Sequence, residues 1–216
     1  LEDANNELRE MLVGEKFGIA SSKVVIEEFL DGIELSCFVL TDGVNYKVLP
    51  TAKDYKRIGE GDSGLNTGGM GAISPVPFAK KELLNKIEQN IITPTIEGLK
   101  KDGIEYQGFI FIGLINVNDE PKVIEYNVRM GDPETEAVLP RIQNDFVEIF
   151  QSFKDKTLNK IDLKIDNRSA ATVVLVSGGY PSNYNKGIKI TGIDHVVDST
   201  VYHAGAIQKE GGVYTN

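Results

Sequence analysis

The segment at residues 107–115 constrains the fold more than any other part of the chain. It reads Gln-Gly-Phe-Ile-Phe-Ile-Gly-Leu-Ile, so the side chains that point to both sides of an extended strand are apolar. A strand of this kind is buried on both faces, which places it in the interior of a sheet. The polar triplet at residues 118–120 predicts a turn, and the strand that starts at Val123 is expected to return beside the first as a hairpin.

That returning strand carries the polar residues that most clearly suggest chemistry. Within residues 123–134, Glu125, Asn127 and Arg129 occupy alternate positions, so one strand face would present all three. A carboxylate and an amide about 6.5 Å apart can bind one hard cation such as Mg²⁺, and an arginine can hold a phosphate or acyl-phosphate oxygen. The acidic turn at residues 131–134 follows directly. The same alternation is also typical of a solvent-exposed strand face, so both interpretations stay open at this point.

Periodic apolar residues predict further helices and strands around this hairpin. Helices are predicted at residues 2–13, 79–101 and 145–153, and Pro94 is expected to kink or divide the second of them. Strands are predicted at residues 23–30, 34–40 and 46–50, with glycine-containing turns between them. These strands form an antiparallel meander.

Two regions are richer in glycine. Residues 51–75 contain many glycines among polar residues and few apolar ones, which predicts a functional loop, with a disordered loop as the alternative. The backbone N–H groups of residues 66–71 can form an anion-binding nest, although the sequence fits neither the Walker A nor the dinucleotide pattern. Near Arg168 a second small unit is expected to begin, with strands at residues 170–176, 188–190, 201–203 and 213–214.

The charge balance limits the class of partner. The 23 Lys and Arg residues stand against 32 Asp and Glu residues, which gives a net charge of -9 and argues against a nucleic-acid partner. No apolar run is long enough to span a bilayer and no secretory pattern opens the chain, so no membrane partner and a cytoplasmic location are expected. The single cysteine, Cys37, excludes an intrachain disulfide and is expected to be a buried thiol rather than a nucleophile.

Several motifs together resemble one enzyme family. They keep the order and spacing found in the later half of the phosphoribosylamine-glycine ligases, which are ATP-grasp enzymes of purine synthesis. The matching motifs are residues 26–32 with Glu34 and Ser36, residues 56–57, residues 66–71 and residues 123–134. Residues 177–181 and 202–205 fit the small C-terminal domain of the same family, so the resemblance covers most of the chain.

The resemblance implies an α+β fold. Residues 1–155 would be the second part of the ATP-grasp domain, mainly an antiparallel sheet with helices, and residues 156–216 an incomplete, small, β-rich C-terminal domain. It also implies a reaction, in which ATP phosphorylates the carboxylate of glycine and the amine of 5-phosphoribosylamine attacks the glycyl phosphate. The products are glycinamide ribonucleotide, ADP and phosphate. The cofactors would be ATP and Mg²⁺, with Mn²⁺ as the alternative metal, and the intact protein would be a monomer.

The resemblance further implies roles for individual residues. Glu125 and Asn127 match the metal ligands of the family. The nucleotide candidates are Glu27, Glu28, Phe29 and Leu30 at the adenine, Glu34 at the ribose, and Lys56 and Asn66 at the phosphates or elsewhere on the nucleotide. Arg129, Asp132 and Glu134 are the catalytic candidates for glycine, the acyl phosphate and the incoming amine. Asp54, Thr67, Gly68 and Gly69 are the substrate-binding candidates.

The chain also departs from the family. Tyr55 stands in place of a histidine, Leu65 of a proline, Met130 of a phenylalanine and Glu136 of a glutamine. The N-terminal domain and the first ATP-grasp subdomain, which hold 5-phosphoribosylamine and the ATP phosphates, have no counterpart in the 216 residues. We therefore expect the chain to be a piece of a longer protein and to lack ligase activity alone. The alternatives are another ATP-grasp carboxylate-amine ligase and a non-catalytic nucleotide-binding module.

Overall fold

The chain divides into two compact units, residues 1–31 and 32–216. The computed structural model describes residues 2–216. In the first unit, helix α1 (Glu2–Leu12) confirms the first predicted helix. A single helical turn at Gly18–Ser22 follows it, and Lys16 lies 2.7 Å from the carboxylate of Glu7.

The strand predicted at residues 23–30 is wrong. The segment is not part of any sheet in the described residues, and Val25, Ile26 and Phe29 are 79%, 81% and 90% exposed. A strand is stable only beside a hydrogen-bonded neighbour. An apolar run can therefore favour a strand in the sequence without forming one.

The second unit contains the remaining α-helices and strands, with bounds as follows. They are β1 (Ile33–Thr41), β2 (Tyr46–Val48), β3 (Lys53–Asp54), β4 (Arg57–Gly59), β5 (Ser63–Asn66), β6 (Gly71–Ser74), α2 (Lys81–Ile87), α3 (Thr93–Lys101), β7 (Gly108–Val117), β8 (Glu120–Asn127), α4 (Thr135–Val138), α5 (Phe146–Lys154), β9 (Ala170–Val173), β10 (Lys189–Ile190), β11 (Ala206–Lys209) and β12 (Gly212–Thr215).

The main sheet is antiparallel and has the order β2-β1-β7-β8. Strand β7 pairs with β1 from Ile33↔Asn116 to Thr41↔Gly108, and its central residues are buried on both sides. The interior strand predicted from the sequence is therefore confirmed. Asn118 and Asp119 have left-handed backbone conformations, which suit a tight hairpin turn, so the predicted hairpin from β7 to β8 is confirmed as well.

Each face of the main sheet packs against helices. Leu35 and Cys37 of β1 pack with Leu83 and Ile87 of α2 on one side, whereas Phe38 packs with residues of α4 and α5 on the other. These two apolar layers explain why the side chains on both faces of β7 are apolar. At one end of the second face, polar residues follow the apolar ones.

The long helix is continuous through Pro94 and is not divided there. A wider helical turn at Glu88–Ile92 joins α2 to α3, with right-handed helical backbone at Ile87 and Ile92. Because a proline has no N–H to donate to the preceding turn, a local widening just before Pro94 lets the helix continue past it. The helix predicted at residues 145–153 is confirmed by α5, whose N-terminus is capped by the side chain of Asp145.

Residues 51–75, predicted to be a functional loop or a disordered one, contain two short antiparallel strand pairings, so the expectation that this segment lacks regular structure is corrected. Strands β4 and β5 form a hairpin, while β6 lies between β3 and β9 in a separate sheet. Left-handed conformations at Gly61 and Asp62 form the hairpin turn. Backbone pairing of this kind needs turn residues rather than an apolar core.

The C-terminal strands form a small sheet of order β10-β12-β11. Strands β9, β10 and β12 confirm predicted strands, although β9 is shorter than expected. The strand predicted at residues 201–203 is wrong, since the pairing strand is β11 a few residues later. The domain boundary between residues 155 and 156 stays a prediction. Among the helices of residues 2–216, none has both the length and the apolar character to cross a membrane.

Candidate functional site

One end of the main sheet gathers polar side chains on a single face. In the sheet register, Ser36 is opposite Gly113, which is opposite Glu125. Phe111, two residues before Gly113, is opposite Asn127. Side chains at directly opposed positions share a face, so Glu125 and Asn127 lie on the same face. The prediction that Glu125 and Asn127 share one strand face is therefore confirmed.

A β-bulge precedes that pair. Leu114 is opposite Val123 and Gly113 is opposite Glu125, so Ile124 is an extra residue in β8. Val123 consequently packs into the apolar layer with α2, although a regular strand would place it on the face of Glu125. The sequence alone contains no sign of this shift.

Arg129 lies beyond the end of the strand. Strand β8 ends at Asn127, which corrects the expectation that the arginine extends the strand row. Its guanidinium carbon lies 5.9 Å from the ring centroid of Phe111, within the range of a cation–π contact, and its Nη1 donates to the carbonyl of Met130 at 2.9 Å. Because Phe111 is opposite Asn127, this contact still holds Arg129 on the sheet face that Glu125 and Asn127 share.

Lys56 joins two carboxylates beside this face. Its Nζ lies 2.6 Å from Glu34 Oε2 and 3.0 Å from Asp54 Oδ2. Partial burial alone would lower the pKa of Lys56, but the hydrogen bonds to Glu34 and Asp54 outweigh it, so the pKa is raised. The side chain is therefore a persistent cation held between two acids. The structure thus brings together Lys56, Glu34 and Asp54, which were predicted to bind the nucleotide or the substrates.

Glu134 is buried in the same region. Only 3% of the residue is exposed, as for Ser36, and the Ser36 Oγ donates to Glu134 Oε1 at 2.8 Å. Burial raises the pKa of Glu134 despite the opposing hydrogen bond from Ser36, and the charge of Asp54 raises it further while that of Lys56 lowers it. Sequence reasoning gave Ser36 no role, since its partner is far away in the chain.

The glycine loop at residues 66–71 packs against the acidic turn. Gly69 has φ +138°, and a Cβ added there would overlap Pro133 Cδ and lie 3.4 Å from the carbonyl oxygen of Asp132. Within the loop, the N–H of Thr67 donates to the Lys56 carbonyl and the N–H of Gly69 to the Thr67 hydroxyl. Much of the predicted anion nest is therefore already engaged in internal hydrogen bonds.

A cavity of about 720 Å³ opens next to these residues. It lies entirely within the second unit and includes the nucleotide candidates Glu34, Lys56 and Asn66. Its lining consists of residues 32–34, 53–57, 59, 61, 62 and 66. Glu27, Glu28, Phe29 and Leu30 belong to the first unit, where the first three are exposed and Leu30 is half-buried, so their role at an adenine stays a prediction.

Asp132 is exposed beside half-buried Glu136. Burial and the charge of Asp132 raise the pKa of Glu136, whose Oε2 is buried without a hydrogen-bond partner in the part of the chain that is described. Glu136 is thus a second acid near the turn, at a position that the sequence marked only as a departure.

The side chains of Glu125 and Asn127 fit a divalent metal as a minimal ligand pair. The Nδ2 atom of Asn127 is buried and has no hydrogen-bond partner among residues 2–216, and a half-turn of the amide would place its oxygen there. Those same residues contain no cluster of three or more Asp, Glu, His or Cys able to hold an ion. Mg²⁺ is commonly bound by one or two protein carboxylates together with substrate phosphates and water, so a two-residue set is compatible.

Comparisons with known proteins match the chain to one family. The sequence model of "Phosphoribosylglycinamide synthetase, ATP-grasp (A) domain" matches residues 1–135, and that of "Phosphoribosylglycinamide synthetase, C domain" matches residues 170–216. A phosphoribosylamine-glycine ligase of Vibrio vulnificus is 46% identical over 219 residues, covering 100% of this chain and 51% of the relative. A trifunctional purine biosynthetic protein adenosine-3 of Bos taurus is 43% identical over 218 residues, covering 100% of this chain and 22% of that protein.

A solved structure gives the same result for the fold. The crystal structure of a phosphoribosylamine-glycine ligase from Thermotoga maritima superposes with a TM-score of 0.84 at 34% sequence identity, covering 100% of this chain and 53% of that one. The chain therefore spans about half the length of the single-function relatives that it matches.

Proposed function

The chain belongs to the phosphoribosylglycinamide synthetase family, and from this premise we propose that it forms part of an ATP-dependent carbon–nitrogen ligase of purine synthesis. In the proposed reaction, the carboxylate of glycine is phosphorylated by ATP, and 5-phosphoribosylamine displaces the phosphate to give glycinamide ribonucleotide. One observation carries the proposal. The face with Glu125 and Asn127 and the ion cluster around Lys56 lie in one unit of a chain that matches this family.

Glu125 and Asn127 are the residues that would hold a divalent metal. When bound, the metal would neutralise charge on the phosphate groups during phosphoryl transfer. We propose Mg²⁺, with Mn²⁺ as the alternative ion. The carboxylate and amide are oxygen ligands on a strand of the main sheet, and the strand register fixes the backbone positions that carry them on one face.

The neighbouring cation would meet the nucleotide. Lys56 is held by Glu34 and Asp54 at the wall of the cavity, so its charge is already placed without a ligand. Glu34 is 44% exposed in its side chain and keeps an oxygen, Oε1, for ribose hydroxyls while Oε2 accepts from Lys56. Asn66 lines the same cavity and would add a polar contact. Residues 27–30, in the first unit, are kept as the candidates for contacts to an adenine.

The glycine and acyl-phosphate end of the reaction is assigned to the acidic turn and its surroundings. Arg129 is held on the sheet face by Phe111, where its guanidinium can bind an anionic oxygen. Asp132 is exposed and can accept from an ammonium group or from an amine. Thr67, Gly68 and Gly69 would border the substrates, and Asp54 would act through Lys56.

The remaining assignments follow from the same premise. Glycine and 5-phosphoribosylamine would be the partners, and the location would be cytoplasmic. The boundary at residues 155 and 156 would separate the ATP-grasp part from the C-terminal domain. The protein that contains both halves would work as a monomer.

The proposal is tested by restoring the part of the relative that this chain does not span. The N-terminal half of the Vibrio vulnificus ligase is fused to this chain, and ADP release is measured with ATP, Mg²⁺, glycine and freshly generated 5-phosphoribosylamine. We expect ADP release that requires both substrates in the fusion, and none from the chain alone. A folded fusion that binds ATP but shows no substrate-dependent ADP release would instead favour a nucleotide-binding module, and ADP release with another amino acid in preference to glycine would favour a different ligase.

A further inference from the structure

The buried pair formed by Ser36 and Glu134 connects three parts of the candidate site. The Ser36 hydroxyl donates to the carboxylate of Glu134 across 98 positions of the sequence. Both residues are 3% exposed. With so little accessible surface, the Glu134 carboxylate is shielded from a glycine or an amine arriving from solvent, which argues against a direct chemical role for it.

Glu134 is well placed to fix the acidic turn. It immediately precedes α4, and its backbone carbonyl accepts from the N–H of Val138 at 2.9 Å. The carboxylate bends back over Gly131, where an added Cβ would overlap it, and Gly131 in turn accepts from the N–H of Thr135. The turn and the helix start therefore form one hydrogen-bonded unit, and Ser36 ties that unit to β1.

The same turn supports the glycine loop. Pro133 lies directly against Gly69, so the position of the turn determines the position of the loop. Ser36 is two residues from Glu34 on the same strand face, and Glu34 holds Lys56. The hydrogen bond between Ser36 and Glu134 thus relates the acidic turn and the glycine loop to the cation beside the cavity.

We propose that Glu134 is a positioning residue and not a catalytic one. Acting through Ser36, it fixes the turn that carries Asp132 and supports Gly69 relative to Glu34 and Lys56. The effect of this positioning on catalysis rests on the proposed ligase function. The contacts that fix the turn are observed in this chain and do not depend on that proposal. What matters at position 134 is a hydrogen-bond acceptor of the right length, not a negative charge.

Two substitutions separate positioning from chemistry. Glu134→Gln keeps the side-chain length and a carbonyl oxygen that can accept from Ser36, but it removes the ability to take up a proton. Ser36→Ala removes the donor and leaves the carboxylate intact. A positioning role predicts that Ser36→Ala is the more damaging change, whereas a role as proton acceptor predicts the reverse. Ser152→Ala is the control, because Ser152 donates only within α5.

The first measurement uses amide hydrogen exchange in the isolated chain and needs no activity. In Ser36→Ala, exchange should be about 5- to 100-fold faster at residues 131–138 and 66–71, as expected when a buried acceptor loses its partner and local opening becomes easier. Glu134→Gln and the Ser152→Ala control should change exchange in these segments by less than about threefold. Unchanged exchange in Ser36→Ala, with the wild-type pattern elsewhere, would overturn the proposal.

The second measurement uses the fusion with the Vibrio half. We expect Ser36→Ala to lower kcat by about tenfold or more, because small displacements of reacting groups are costly. The KM for ATP should stay within about threefold of wild type, and Glu134→Gln should retain most of the turnover. Loss of turnover in Glu134→Gln with normal exchange would identify a chemical role and overturn the proposal. An inactive wild-type fusion would count against the proposed function, while the exchange experiment would still decide the positioning role.

Discussion

Substituting Gly69 by alanine tests the contact between the glycine loop and the acidic turn. The residue has φ +138°, a backbone conformation that costs about 1–3 kcal/mol for other residues. An added Cβ would overlap Pro133 Cδ and come within 3.2 Å of Pro133 Cγ, and overpacking of this kind costs about 1–3 kcal/mol. The two effects predict a loss of ~2–6 kcal/mol, a large part of the ~5–15 kcal/mol that stabilises a typical domain.

The measurement is urea unfolding followed by far-UV circular dichroism, since the chain contains no tryptophan. Gly68→Ala is the matched control, because a Cβ there meets nothing within 4 Å and its φ is not left-handed. That neighbouring variant should change the free energy of unfolding by less than about 1 kcal/mol in either direction. Equal unfolding midpoints for the two variants would refute the reasoning, because the predicted difference comes entirely from the backbone conformation and from Pro133.

Three further predictions concern other groups. Burial raises the pKa of the Cys37 thiol to about 12, so a thiol reagent at pH 8 should leave the native chain unmodified and label one thiol per chain in urea. Hydrogen bonds from Arg168 lower the pKa of Asp166 to about 2, and Arg168→Ala should raise it towards about 4 in an NMR titration. A depressed pKa stabilises the fold above the unfolded-state pKa and loses this effect as the pH falls, so wild type and Arg168→Ala should differ in stability at pH 6 and converge near pH 2. Glu125→Gln in the fusion protein should reduce turnover by about a hundredfold or more, whereas Glu120→Gln, at the other end of the same strand, should leave it unchanged.

The sequence predicted the central elements because local patterns were strong there. Strand β7 has apolar side chains on both faces, and the turn at residues 118–120 has residues that tolerate left-handed conformations. These two features fix the hairpin with β8, and the alternation of Glu125 and Asn127 then fixes their shared face. No distant information is needed for any of these steps.

The sequence was misleading where structure depends on a partner. Residues 23–30 have the composition of a strand but no neighbouring strand among the described residues, and residues 51–75 have the composition of a loop but pair through their backbones. The hydrogen bond of Ser36 to Glu134 joins residues 98 positions apart. Its existence follows only from the tertiary fold, so no local pattern could have identified it.

The extra residue in β8 determines how that strand tolerates insertion and deletion. Because Ile124 is an extra residue, Val123 packs into the apolar layer with α2 while Glu125, two positions later, lies on the opposite face. Because Ile124 is the extra residue, deleting it alone would leave a regular strand in which Val123 still lies opposite Leu114 and Glu125 still lies opposite Gly113. Removing Ile124 together with a neighbouring residue would instead exchange the two faces along the rest of the strand and turn Asn127 towards the apolar layer. At this point of the strand, the loss of two residues is therefore more serious than the loss of one.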